Sequence, residues 1–288
     1  MIKIITDATL DVNIDYLKQN NIELIPMNYF LDGETFVDDK TLNLKEFYNK
    51  IREGKMPTTS MINPMMYEEI FEKHLKDGND VLYISFSSGL SGSFNSALLA
   101  KNNLDSKYSN KVYCLDTQSA SAGITIIVER ANELINKGET IEKIMTELTL
   151  LRDKIFIFVG VDNLFHLERG GRISKAAAVI GSTLNLKPVI KVNEEGRLVS
   201  YKKVMGRKKL ILTLVELFAK YKDESKHYNV YILHSDCEED AISLKEKIKN
   251  NYNINANILG IGTIIGSHTG AGAIAIIFVA NTTKENIK

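Results

Sequence analysis

Cysteine is scarce in this chain. Two occur in 288 residues, Cys114 and Cys237, far apart and without a C-x-x-C pair. That count argues against a disulfide framework or a zinc ribbon and fits a reducing compartment. Net charge is missing as well, since Lys+Arg and Asp+Glu both number 36. The basic excess that draws proteins to nucleic acid or anionic membranes is therefore lacking, and neither is an expected partner. No apolar run reaches the ~18 residues of a membrane-spanning helix. The best candidate, AGAIAIIFVAN, is far shorter. The opening MIKIITDATLDV lacks a cationic stretch followed by a long apolar one, so no signal peptide is expected. A soluble, cytoplasmic protein without stable membrane insertion is the expectation.

Several chemical signatures are also lacking. No G-x-x-x-x-G-K-[ST] occurs, so a P-loop nucleotide site is not expected. GIGTIIG at Gly260–Gly266 has the wrong spacing for a dinucleotide fingerprint and reads as preceding a strand rather than a helix. Metal-ligand spacing is absent. HSDCEED, His234–Asp240, is better explained by Ser235 or Asp236 capping a helix with an acidic first turn. Internal repeats, low-complexity segments and Pro/Gly/Ser-rich linkers are not found either.

What the chain does contain is alternation of short apolar runs with helical periodicity. Strands are expected at Ile2–Ile5, Glu23–Tyr29, Asp80–Ser85 and Lys111–Leu115, and helices at Thr125–Lys137 and Ile141–Arg152. Such a pattern predicts a parallel sheet with crossover helices, whose ligands bind beyond the carboxyl ends of the strands. Thr6–Asp7, SFSSGLSGS and DTQSASAG (Asp116–Gly123) follow three of those strands, so three polar loops should share one edge. After about residue 153 the texture shifts towards α+β. KIFIFVGVDN reads as a strand and ISKAAAVIGSTL as a helix. Two strands joined by a Glu-Glu-Gly turn follow in KPVIKVNEEGRLVSYKKV, and then helices over Arg207–Lys220 and Asp236–Lys249. Strands at Asn229–Leu233, Asn255–Ile261 and AIAIIFVA complete the pattern, which divides the chain into 1–152 and 153–288.

Four segments carry candidate chemistry. FSSGLSGSFNSA holds Ser87, Ser88, Ser91, Ser93 and Ser96. GLSGS resembles a nucleophile elbow but has Ser93 where the second glycine belongs, and SGS also suits a helix start. Free N–H groups there would attract a carboxylate or phosphate. In PTTSMINP, Thr58, Thr59 and Ser60 lie between prolines, in an extended or turning loop before a helix. His268 sits in a segment read as a Gly/Ser/Thr loop, with Gly266, Gly270 and Gly272 suggesting close backbone approach. In HLERGGRISKAA, Gly170–Gly171 ends a helical turn, Ser174 can cap the next helix, and Arg169 and Arg172 are either solvated or aimed at an anion. The basic run YKKVMGRKK reads as a solvated strand end and helix start.

Taken together, these segments resemble the DegV family over almost the whole chain. TDATLDV is similar to its T-D-S-x-x-D opening, PTTSMINP to its T-S-Q-P-S loop and SSGLSGSFNSA to its S-x-x-L-S-G-T-Y-x-S-A segment. LERGGRIS, LNLKPVI with its G-x-L, and GSHTGAGA continue the order. Departures occur at Met61-Ile62-Asn63, Ser93-Phe94 and Ala271, the last replacing a proline.

The resemblance implies an α/β protein of two domains. The N-terminal one would be a three-layer α/β/α unit with a mainly parallel sheet, the C-terminal one a two-layer α/β unit with a mixed sheet. It implies a non-catalytic fatty-acid-binding subunit of a bacterial fatty acid kinase, supplying acyl phosphate for phospholipid synthesis. A long-chain fatty acid would lie between the domains, with no further cofactor and no metal. Its carboxylate would be held by Thr59, Ser60, Ser91, Gly92 and His268, and Arg172 would serve a separate ATP-binding kinase partner. Two alternatives stand beside it: a serine hydrolase using Ser91 and His268, and small-carbonyl binding as in dihydroxyacetone kinase-like domains.

Overall fold

The computed structural model of the chain describes residues 1–174, 185–224 and 228–287. The first sheet is wholly parallel. It contains β1 (Ile2–Asp7), β2 (Glu23–Ile25), β6 (Asp80–Ser85) and β7 (Val112–Asp116) in the order β2-β1-β6-β7. Helices α3 (Pro64–Lys76) and α4 (Ser93–Asp105) cover one face, with Tyr67, Phe71 and Ala97 packed on Val81 and Tyr83. The other face carries α1 (Ile14–Gln19), α5 (Ala122–Asn136) and α6 (Ile141–Arg152), through Leu17, Ile127 and Ile144. Both faces of such a sheet are buried, which is why its strands read as continuous apolar runs.

The strand expected over Glu23–Tyr29 is two strands in two sheets. Pro26 has no N–H to donate to a ladder, so β2 ends before it. The chain then enters β3 (Met27–Leu31), which pairs antiparallel with β4 (Glu34–Asp38) and β5 (Thr58–Thr59). The β3–β4 hairpin turns on Asp32–Gly33, at φ +56° and +82°, the two left-handed positions of a tight hairpin. This small sheet, and α2 (Leu44–Arg52) after it, bring the hydroxyls of Thr58–Ser60 beside the first sheet.

The rest of the chain forms a six-stranded mixed sheet. Its strands are β8 (Ile155–Gly160), β9 (Leu186–Val192), β10 (Leu198–Met205), β11 (Tyr231–His234), β12 (Asn257–Gly260) and β13 (Ile274–Val279), ordered β10-β9-β8-β13-β11-β12. Helices α8 (Arg207–Tyr221) and α9 (Glu238–Tyr252) cover its outer face, over Phe156, Phe158 and Phe278. The inner face presents Ile157, Val159, Ile190 and Ile277 to the core shared with α5. Between β8 and β9 lies α7 (Phe165–Arg169), capped at Gly170, with Gly171 at φ +72° as its Gly-Gly sequence suggested. The helix expected over ISKAAAVIGSTL, with Ser174 as cap, falls outside the described residues beyond Ser174.

Three local expectations are corrected. His268 is not in a loop: Thr263–Thr269 is a helical turn and a half, α10, so the Gly260–Gly266 run leads from strand into helix. The second glycine of that run is needed small, because a Cβ on Gly262 would stand 2.7 Å from Asp11 Oδ1 and from Lys40 Nζ. Helix α9 is capped at Cys237 rather than Ser235 or Asp236, though its first turn is acidic as expected. Helix α4 begins at Gly92 without a side-chain cap. Among the described residues, no helix is long and apolar enough to cross a membrane, and no cluster of three or more His, Cys, Asp or Glu is placed to hold a metal.

Candidate functional site

A deep apolar pocket lies between the inner face of the mixed sheet and the loops beyond the first sheet. The empty space among its lining residues, open solvent at its mouth included, is about 840 Å³. One wall is strand-borne and wholly aliphatic, with Val159, Ile190, Val192, Leu233, Ala275 and Ile277 among its residues. Period-two alternation places these on one face, while their neighbours Phe156, Phe158 and Phe278 pack outward under α8. The opposite wall comes from the polar loops. Thr9 follows β1, Leu90 and Ser91 follow β6, and Ser121 follows β7, so the three loops do share one edge.

Polar groups gather at one region of this otherwise aliphatic space. Thr59, Ser60, Ser91, Arg172 and His268 all line it. Gly92 is exposed and does not line the pocket; it supports Met61, whose Sδ would lie 2.9 Å from a Cβ there. Met61 is 57% exposed yet also lines the pocket. Thr59 Oγ1 and His268 Nε2 are 2.9 Å apart. Ser91 Oγ accepts from the Ser93 N–H at 3.2 Å and is 3.1 Å from Ser93 Oγ.

The electrostatics of this region are unbalanced. Arg172 donates from Nε to the Leu90 carbonyl and from Nη1 to Gly170, and Arg169 donates to the Pro57 carbonyl. No carboxylate among the described residues pairs with either guanidinium. Both act on His268. Burial, then Arg172, then Arg169 lower its pKa to about 4, so the ring is neutral near pH 7. Its Nδ1 is buried without a partner, as is Arg169 Nε. Beside two cations, and because orphaned buried N–H groups are rare, the bare nitrogen is assigned to Nδ1 and the proton to Nε2. His268 then donates to Thr59, which leaves the Thr59 hydrogen to offer to a ligand. Two partly buried cations, three hydroxyls and a neutral imidazole suit the head of an anionic amphiphile, and the aliphatic wall suits its tail.

The hydrolase alternative lacks its third member. A base in a triad is oriented through its far nitrogen, and His268 Nδ1 meets no carboxylate among the described residues. A small-carbonyl site is disfavoured by the aliphatic extent of the pocket. Sequence reasoning found the hydroxyl loops, His268 and Arg172. It missed Thr9, Thr269 and the strand-borne wall, because strand residues facing a ligand look like ordinary core.

Gly170 gives a test of His268 that leaves its chemistry in place. A Cβ there would stand 2.3 Å from His268 Nδ1, while the backbone at φ −73° accepts alanine without strain. Gly170→Ala is expected to push the ring off Thr59 and weaken anionic-ligand binding about tenfold, the loss of a charge-assisted hydrogen bond. Titration of the variant with a long-chain fatty acid checks this, and an unchanged Kd would show that the ring position is immaterial.

Comparison with known proteins agrees with this geometry. Residues 1–281 match a family model described as an uncharacterised protein of the DegV family. A DegV domain-containing protein of Clostridium perfringens is 38% identical over 283 residues, covering 97% of each chain. A solved DegV family protein from Thermus thermophilus, described for fatty acid binding, superposes with a TM-score of 0.88. It is 31% identical, with 97% of this chain and 99% of that one covered. DegV from Bacillus subtilis, described as a fatty acid binding protein, gives a TM-score of 0.85 at 31% identity with the same coverage.

Proposed function

The chain belongs to the DegV family, and from that premise we propose that it is a lipid carrier presenting a fatty acid to a separate kinase. The observation that carries the reading is the pocket itself: aliphatic along the mixed sheet, with Thr59, Ser60, Ser91, His268 and the cationic Arg172 among its polar lining. The tail supplies most of the affinity, since each buried CH₂ contributes about 0.8 kcal/mol. The carboxylate exchanges water for the hydroxyls of Thr59, Ser60 and Ser91 and the His268–Thr59 pair. Residues 1–152 and 153–288 are taken as the two domains between which it lies.

Acyl phosphate formation moves the γ-phosphoryl group of ATP onto a carboxylate oxygen and releases ADP. That step needs a triphosphate cradle and Mg²⁺, which we assign to the partner subunit. Arg172 is half-buried behind the head group and reaches only carbonyls, so its charge is free to meet the incoming phosphate or the partner. Arg172→Ala is expected to weaken fatty-acid retention only about threefold, the loss of one half-buried charge near the carboxylate, and to lower acyl phosphate formation with a cognate kinase far more, at least ~30-fold. Equal losses in both assays would contradict the partner role.

The reading as a whole is tested by lipid extraction and native mass spectrometry of protein purified from bacteria. A co-purifying long-chain fatty acid, or stoichiometric uptake of added oleate, is expected. Absence of both contradicts it.

A further inference from the structure

The TDATLD loop, Thr6–Asp11, contributes only Thr9 to the pocket, yet both its carboxylates are buried. Asp7 is fully buried. Its Oδ1 takes the Thr9 N–H at 3.0 Å and the Thr9 hydroxyl at 2.5 Å, and its Oδ2 takes the Tyr83 phenol at 2.7 Å. Tyr83 is in turn 2.7 Å from the Tyr67 phenol. Ser93 meets Ser91 Oγ at 3.1 Å and the Ile62 N–H at 3.3 Å.

The direction of each bond follows from the carboxylate end. A carboxylate only accepts, so Tyr83 donates to Asp7. Tyr67 must then donate to Tyr83. The Ser93 oxygen accepts from the Ile62 N–H and lies within hydrogen-bond distance of Ser91 Oγ. One atom therefore ties the loop carrying Thr59 and Ser60 to the loop carrying Ser91.

Asp11 acts on the other wall. It accepts from the Ser121 hydroxyl and from the Gly262 N–H at 2.9 Å, the residue that starts α10. Asp38 takes the Thr263 hydroxyl at 2.6 Å, and Lys40 lies 3.5 Å and 3.7 Å from the two carboxylates. The helix bearing His268 is thus gripped at its first residues by buried groups from the N-terminal half.

We propose that Ser93, Asp11 and Asp38 are positioning residues for the head-group site, Ser93 holding Ser91 against the Ile62 backbone, and Asp11 and Asp38 setting His268 through Gly262 and Thr263. This rests on the carboxylate-binding reading above. The test compares Kd for oleate and for oleyl alcohol, which shares the tail and lacks the carboxylate, in wild type, Ser93→Ala and Thr263→Val. The oleate-to-alcohol preference is expected to fall about five- to tenfold in each variant, the loss of one hydrogen bond, while the alcohol Kd moves less than about twofold. Thermal melting runs in parallel, so a variant that merely loosens the fold shows itself by weakening both ligands equally. An unchanged preference, with or without a lower melting temperature, overturns the proposal. Wild-type protein that binds neither ligand contradicts the carrier reading instead.

Discussion

His268→Ala and Ser91→Ala each lower the affinity for a long-chain fatty acid by about 10- to 100-fold, the usual cost of a lost hydrogen bond to a charged group. The fold survives both changes: His268 and Ser91 are partly exposed at the pocket, and neither belongs to the buried core. Isothermal titration with oleate checks the affinity, and thermal melting of the lipid-free variants checks the fold. His268→Ala has the larger effect, because it also removes the donor to Thr59 Oγ1. The contrary result is retention of wild-type affinity in both variants, which would place the carboxylate elsewhere.

Why these residues could be found without coordinates is a matter of chain geometry. Ser91 and Ser121 each follow a parallel strand, and parallel strands deliver their following loops to one edge. Pro57 and Pro64 kept Thr58–Ser60 out of a helix, and Thr58 and Thr59 form the edge strand β5. His268 was legible as a residue but not as a place. Glycines at 266, 270 and 272 suggested a loop, yet Tyr48 and His166 pack so closely against the first two that a Cβ at either would stand 2.4 Å from the side chain it faces. That contact is tertiary and leaves no local signal. The same holds for the Asp7–Tyr83–Tyr67 chain, in which Asp7 and Tyr83 are 76 positions apart. Pro26, by contrast, was visible and should have divided the strand read over Glu23–Tyr29.

Gly196→Val destabilises the protein by about 3 kcal/mol, combining left-handed backbone strain with overpacking. Gly196 lies at φ +72° in the Glu194–Gly196 turn between β9 and β10. A Cβ there would stand 2.1 Å from Ser87 Oγ and 2.9 Å from Gln118 Cα. The second of these is backbone and cannot swing away. Ser87 donates to the Gly196 carbonyl at 2.7 Å, so the turn is pressed onto the loop that carries Ser91. A fall in melting temperature of roughly 10 °C is expected, together with weakened fatty-acid binding. Gly33→Val is the control, since φ is +82° there but no atom lies within 4 Å of a Cβ. It loses the strain alone, and equal losses at both sites would show that the contact with Ser87 and Gln118 contributes nothing.

The most direct measurement is a crystal structure of the protein with oleate. The carboxylate is predicted within hydrogen-bond distance of Ser91 Oγ and Thr59 Oγ1, with the tail running along Val159, Ile190 and Ile277. An empty pocket at saturating oleate, or a carboxylate at the aliphatic end beside Leu198, would contradict it.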